Sequence, residues 1–215
     1  MSKRKISRLI KFYSWLAGWY DPLKKFWNKV FSRRAEQDLS KFLKANLDGS
    51  KTVLELGCGT AANLEKIFEL GLPFPSYLGV DITPSMLEVA RNKFSGKERA
   101  DYLIEFRESE LHQFINELAR RGEKYDIIIC TWVLSHLDSP SEAVNRAQEL
   151  LAEEGKMFLI FATQPRWYIN FWLYPLFKLI FAGKYVSLEE INKFQNVEYL
   201  RQYALGTITS VLIRQ

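Results

Sequence analysis

A chain of 215 residues, 47% hydrophobic and 26% charged, is long enough for one well-buried domain, and these proportions exclude a disordered or low-complexity polymer. Its two cysteines, Cys58 and Cys130, lie far apart, which excludes a disulfide framework or a cysteine metal site and makes a reducing cytoplasm the expected location. The net charge of +5 is unevenly spread: residues 1–34 hold ten Lys/Arg and one acid (+9), while the rest of the chain carries 20 basic and 24 acidic side chains (−4). A basic arm on a mildly acidic body suits an anionic partner, either lipid headgroups or nucleic acid.

In the arm, Ile6, Leu9, Ile10, Tyr13, Ala17 and Tyr20 follow helical spacing, and aromatics and charges break up any run that could serve as a secretory signal. Asp21-Pro22 predicts a fresh helix start, Asp as cap and Pro at the first turn, with Leu23, Phe26, Trp27, Val30 and Phe31 as a second apolar stripe. The two segments read as a helical cap over residues 1–50, packed on the core, lidding a ligand or lying on a membrane. A helix near Ala35–Leu47 ends at Asp48-Gly49-Ser50.

The following stretch, Thr52–Leu64, combines a short apolar strand containing Glu55, a Gly57-x-Gly59 turn and a helix start. That layout brings a ligand close to backbone, because the glycines permit a sharp turn and carry no side chain to block approach. Strands at Tyr77–Val80, Tyr102–Phe106, Tyr125–Thr131 and Lys156–Ala162 then alternate with helices starting at Thr83-Pro84, Leu111 and Ser139-Pro140. Leu150 and Leu151 read as the end of the last helix, stopped by Gly155. Val197–Tyr203 and Ile208–Ile213 flank a turn at Gly206 and read as a terminal antiparallel hairpin. The expected fold is therefore α/β: a Rossmann-like open sheet of seven strands, mostly parallel, within residues 51–215. Residues 164–195 form a hydrophobic insert; its segment Trp167–Phe181 has seven aromatics in fifteen residues and is too short and too interrupted by Pro175 and Lys178 to span a bilayer.

Acids fall at successive strand ends: Asp81 after the second strand and Glu108-Ser109 after the third, with Thr131-Trp132 after the fourth. An ionised carboxylate only accepts hydrogen bonds, so Asp81 suits the two hydroxyls of a ribose and would repel a 2′-phosphate. Taken in order, Val53–Thr60, Gly79–Leu87, Arg107–Leu111, Tyr125–Leu137 and Gly155–Phe161 resemble the class I S-adenosylmethionine-dependent methyltransferases. The resemblance implies S-adenosylmethionine as cofactor. Gly57 and Gly59 would lie against its methionine moiety, Glu55 near its amino group and Asp81 on its ribose. Ile82 and Met86 would pack on the adenine, Glu108 and Ser109 lie beside it, and Thr131 lie near the sulfonium. It also implies His136 near the acceptor, a catalytic candidate with Tyr20. Where many members carry another glycine this chain has Ala61, which reads as tolerated because alanine favours helix.

Methyl transfer needs alignment and exclusion of water more than a metal, and no Asp/Glu/His cluster with ligand spacing accompanies the strand ends. The Asn/Asp-Pro-Pro-Tyr type motif of base-amine methyltransferases is absent after the fourth strand, which makes nucleic acid the lesser candidate. The flanks Tyr13–Pro22 and Leu205–Arg214 are similar to those of quinone-ring C-methyltransferases and phospholipid N-methyltransferases. Together with Tyr13, Trp132, Trp167 and Trp172 as substrate-binding candidates, they lead us to expect a hydrophobic or lipid acceptor, with residues 1–34 on an anionic membrane surface. A methyltransferase for RNA, protein or a soluble metabolite, and a non-catalytic cofactor-fold module, remain open at this point.

Overall fold

The structure, a computed structural model, describes residues 3–96, 102–164 and 183–215. Strands β1 (Val53–Leu56), β2 (Ser76–Asp81), β3 (Leu103–Glu108), β4 (Tyr125–Thr131), β5 (Leu151–Ala162), β6 (Val197–Tyr203) and β7 (Ile208–Arg214) form one sheet ordered β3-β2-β1-β4-β5-β7-β6. Strands β1 to β5 pair in parallel, whereas β7 runs antiparallel between β5 and β6. The alternation of strand side chains splits the core into two layers. Val53, Ile127 and Ile129 face helices α2 (Arg33–Asn46), α3 (Ala62–Glu69) and α4 (Pro84–Phe94), while Leu54, Leu56, Ile128 and Cys130 face α5 (Leu111–Arg121), α6 (Pro140–Gln148) and α7 (Leu188–Ile191). Ile128 and Ile129 are wholly buried. A side chain of that kind is stabilised by roughly 1.5–3 kcal/mol on burial, which is why β4 reads as one continuous apolar run.

Two segments depart from the sequence expectation. Helix α1 (Lys3–Trp27) runs straight through Asp21-Pro22 and passes into a π-helical turn (Asn28–Ser32) before α2. Proline removes one intrahelical donor, but Pro22 and Gly18, four residues before it, both face solvent, so the released carbonyl is hydrated and the helix continues. Asp21 caps nothing. Its carboxylate accepts from the Thr60 hydroxyl at 2.6 Å and pairs with Lys93 at 2.5 Å. Secondly, α6 ends at Gln148 and β5 begins at Leu151, so Leu150 and Leu151 do not extend the helix. Gly155 lies inside β5, where a Cβ would come within 2.8 Å of the Ala152 carbonyl oxygen, so backbone crowding rather than helix termination requires it. The terminal hairpin lies where expected, and its turn adds Ala204 and Leu205, both at positive φ, to Gly206.

Candidate functional site

Sheet order reverses between β1 and β4, and in open α/β sheets the ligand crevice opens beyond the strand carboxyl ends at that reversal. A cleft of about 780 Å³, its open mouth included, lies there. Gly57 and Gly59 line it, for two different reasons. At Gly57 (φ +71°) a Cβ would fall 2.0 Å from Val133 Cγ2, so both conformation and packing demand glycine. At Gly59 (φ +54°) a Cβ would meet nothing within 4 Å; here the absent side chain leaves backbone open to the cleft. Ala61 also sits at positive φ (57°), just ahead of α3. Helix propensity is therefore the wrong reason for its tolerance: the left-handed conformation costs about 1–2 kcal/mol, and the wholly buried methyl offsets part of it.

Asp81 is held by the turn it serves. Its Oδ2 accepts from the Gly59 N–H at 2.9 Å and its Oδ1 from the Thr83 N–H at 2.8 Å. Each oxygen keeps a lone pair for a further donor, which is what a vicinal diol requires. Burial raises its pKa, and the two backbone bonds oppose that rise. Ile82, Met86, Ser109 and Thr131 line the same cleft.

Two expected residues lie elsewhere. Glu55 is 1% exposed and sits behind the cleft wall, accepting from Asn63 Nδ2 at 2.9 Å and from the Tyr77 hydroxyl at 2.5 Å. Asn63 Nδ2 also donates to Thr131 Oγ1 at 2.9 Å, so Glu55 reaches the cleft only through that relay. Desolvation pushes its carboxyl up to about 7, against the opposing pull of the Tyr77 bond. Glu108 is exposed, level with Asp81 in the β2–β3 register and off the cleft wall. The acid that does line the cleft is Glu110, whose carboxylate accepts from the Gln113 N–H and caps α5. The Ser109-Glu110-Leu111 helix entry carried that signal in the sequence.

The roof is α1, whose Leu9, Tyr13 and Tyr20 face the cleft. The Tyr13 hydroxyl meets His136 Nε2 at 2.9 Å, and Ser14 and Ser85 join across the rim at 3.1 Å. Burial drives His136 down to about 4, so its imidazole is neutral at physiological pH, and its Nδ1 has no hydrogen-bond partner. Burial and the Asp81 charge raise Tyr20, which stays a phenol rather than a phenolate. Trp132, at φ +67° in the turn after β4, walls both this cleft and a smaller recess beside it. Trp167 and Trp172 lie outside the described residues. Among the described residues no group of three His, Cys, Asp or Glu side chains could hold a metal, and no helix is long and apolar enough to cross a membrane.

Residues 54–157 match the family described as a methyltransferase domain. Over that span, just under half of the chain, the protein matches a methyltransferase domain of the class I S-adenosylmethionine-dependent kind. The chain is 29% identical over 153 residues to the ubiquinone biosynthesis O-methyltransferase of Actinobacillus pleuropneumoniae serotype 7, covering 71% of this chain and 62% of that relative. It thus spans under two thirds of the relative's length. Among solved structures, magnesium protoporphyrin IX methyltransferase from Synechocystis PCC 6803, with bound SAH, superposes with a TM-score of 0.63 at 17% identity, covering 85% of this chain and 82% of that one. An S-adenosylmethionine-dependent methyltransferase from Clostridium acetobutylicum superposes with a TM-score of 0.62 at 14% identity over 91% and 98% of the two chains. These likenesses are of fold, and the sheet here has the open, mostly parallel Rossmann-like form with an antiparallel end.

Proposed function

We propose that this methyltransferase moves a methyl group from S-adenosylmethionine to a hydrophobic, lipid-like small molecule, a quinone precursor or a phospholipid headgroup amine, at an anionic membrane surface. The carrying observation is that α1 has two working faces. Leu9, Tyr13 and Tyr20 look into the cleft, whereas Trp15 (77% exposed), Trp19 (76%) and Phe26 (63%) lie on the opposite side in solvent. Exposed Arg4, Arg8, Lys11, Lys25 and Lys29 surround that outer stripe. Large aromatics held out in water amid cations suit the headgroup boundary, where each cation contributes about 1 kcal/mol near an anionic surface.

S-adenosylmethionine supplies a methyl carbon already activated by its sulfonium. The residues fit it: the open backbone at Gly59, in the turn that Gly57 makes, would take the methionine end, Asp81 would take the ribose diol, and Ile82, Met86 and Ser109 would border the adenine. Thr131, held by Asn63, marks the reacting centre. On the acceptor side Tyr13 and Trp132 form apolar walls, Tyr20 donates a hydrogen bond, and neutral His136 takes the proton that the acceptor sheds.

The test pairs vesicle co-sedimentation with transfer of labelled methyl from S-adenosylmethionine into an organic-soluble lipid extract. The native protein is expected to sediment with phosphatidylglycerol-containing vesicles and not with pure phosphatidylcholine. The Trp15→Ser, Trp19→Ser, Phe26→Ser triple variant is expected to lose tenfold or more of that binding. Equal sedimentation of native and variant, or label appearing only in RNA, protein or water-soluble metabolites, overturns the proposal.

A further inference from the structure

Beside the cofactor cleft lies a recess of about 370 Å³ between the end of α1, the π-helical turn and the 134–136 turn after β4. Its lining is aromatic on several sides (Tyr13, Tyr20, Trp27, Trp132), and its polar groups include the donor-only Lys24 ammonium and Trp132 indole beside hydroxyl, amide and imidazole groups that can also accept. Ser135, 3% exposed, has a hydroxyl without a hydrogen-bond partner. The buried Trp132 Nε1–H is likewise unpartnered, and indole nitrogen can only donate. Asn28 Oδ1 already accepts from the Ser32 hydroxyl at 2.9 Å, while its amide NH2 makes no hydrogen bond among the described residues. Lys24 Nζ lies 6.0 Å from the Tyr20 ring centroid, and no carboxylate of the described residues is within ion-pair reach of it. Its charge is felt at Glu55, whose pKa it lowers. No acidic side chain lines the recess.

Unpaired buried donors are costly unless a ligand satisfies them. A pocket with an ammonium, an indole N–H, a hydroxyl and an amide, and with no carboxylate, is complementary to an oxyanion. We infer that this recess binds an anionic oxygen group of the methyl acceptor, with Lys24 as its counter-ion, Trp132 and Ser135 as hydrogen-bond donors and Trp27 beside the carbon skeleton. The inference rests on the proposed methyltransferase reading and deepens it: acceptors bearing an anionic oxygen are selected over their neutral isosteres. Two sources offer that group to a lipid-like acceptor, an aromatic carboxylate or a headgroup phosphate. The π-helical turn contributes by setting Trp27 and Asn28 against the recess at the point where the helix widens.

The experiment measures binding to the full chain saturated with S-adenosylhomocysteine, by calorimetry. Three probes are used: 3,4-dihydroxybenzoate, its neutral isostere 3,4-dihydroxybenzamide, and glycerophosphoethanolamine. At least one anionic probe is expected to bind tenfold or more tighter than the amide; which of the two does so identifies the source. Lys24→Met, which keeps the aliphatic stem, should erase that preference, Lys24→Arg should restore most of it, and Ser135→Ala should weaken the anion severalfold. Affinity for S-adenosylhomocysteine should be unchanged in all three variants, which also shows that they fold. No preference for either anionic probe in the native protein, or a preference that survives Lys24→Met, overturns the inference. A native protein that fails to bind S-adenosylhomocysteine instead overturns the proposed function beneath it.

Discussion

Glu55 gives the sharpest quantitative test, because its carboxyl is buried, doubly hydrogen-bonded and still pushed from its ordinary 4.5 up to about 7. Desolvation is the leading cause, and it penalises only the ionised form. Between pH 4.5 and about 7 the unfolded chain has released this proton while the folded chain keeps it. Stability therefore falls as pH rises through that window. At about 1.36 kcal/mol per pH unit the loss is roughly 3 kcal/mol, a large share of the 5–15 kcal/mol typical of a domain. Glu55→Gln keeps the shape and most of the hydrogen bonding and removes the titration. The stability of Glu55→Gln minus that of native protein, from urea unfolding without cofactor, should thus grow by roughly 3 kcal/mol across the window. A difference that stays constant with pH refutes the reasoning, since it would mean that Glu55 ionises in the fold as readily as in water. His136 supplies an opposing slope. Its folded pKa of about 4 lies below the ordinary 6.5, so the unfolded state binds more protons between those values and stability rises with pH there. The native curve should accordingly be flatter than either variant's, and His136→Gln should leave the falling Glu55 slope exposed.

Asp81→Asn should raise the dissociation constant for S-adenosylhomocysteine by about 10- to 100-fold in calorimetry, since hydrogen bonds to a charged group are worth about 1.5–3 kcal/mol; unchanged binding would remove Asp81 from the cofactor site. Gly57→Ala should cost roughly 3 kcal/mol in unfolding experiments, combining left-handed strain with overpacking, whereas Gly59→Ala, with open space at its Cβ, should cost only the strain of about 1–2 kcal/mol. Equal losses at the two positions would show that Val133 moves aside and that packing is not what demands glycine at Gly57.

The cofactor half was legible because it is written in backbone requirements. The apolar β4 run, the Gly57-x-Gly59 turn and the terminal hairpin each leave a periodicity or a turn residue that can be read locally, and all three lie where the sequence puts them. Glu55 shows the limit. Its place in a strand is plain, but whether its side chain faces ligand or core depends on Tyr77 and Asn63, residues on β2 and α3. Glu108 and Glu110 illustrate the same limit: two residues apart they would share a strand face, and what separates them is that the chain has left β3 and entered the cap of α5 at Glu110. The difference with the widest consequence lies at Asp21-Pro22, where the sequence predicts a helix start and the structure has a continuous helix. A break there separates Tyr13 and Tyr20 from Lys24 and Trp27 and hides the recess that all four line. Followed unbroken, residues 13, 20, 24 and 27 fall on one helical face. Nothing local distinguishes a capping Asp from one whose partners are Thr60 and Lys93 far along the chain.

The continuity of α1 also bears on how donor and acceptor sides cooperate. The cleft floor is set by backbone turns clamped between strands, and the roof by a single helix whose inner and outer faces cannot rotate independently. The roof is fastened through partly exposed pairs, Lys93 with Asp21 and Lys5 with Asp138, and through the Ser14–Ser85 contact at the rim. Contacts of that kind contribute about 0–1 kcal/mol each. Only Leu16, Ala17 and Trp27 of α1 are buried. Fewer of its side chains are buried than in strands β4 and β5 of the sheet beneath it. An interaction of a few kcal/mol on Trp15, Trp19 and Phe26 is larger than any one of these surface contacts. A surface gripping the outer stripe therefore acts directly on the acceptor wall and leaves the Gly57–Asp81 floor undisturbed.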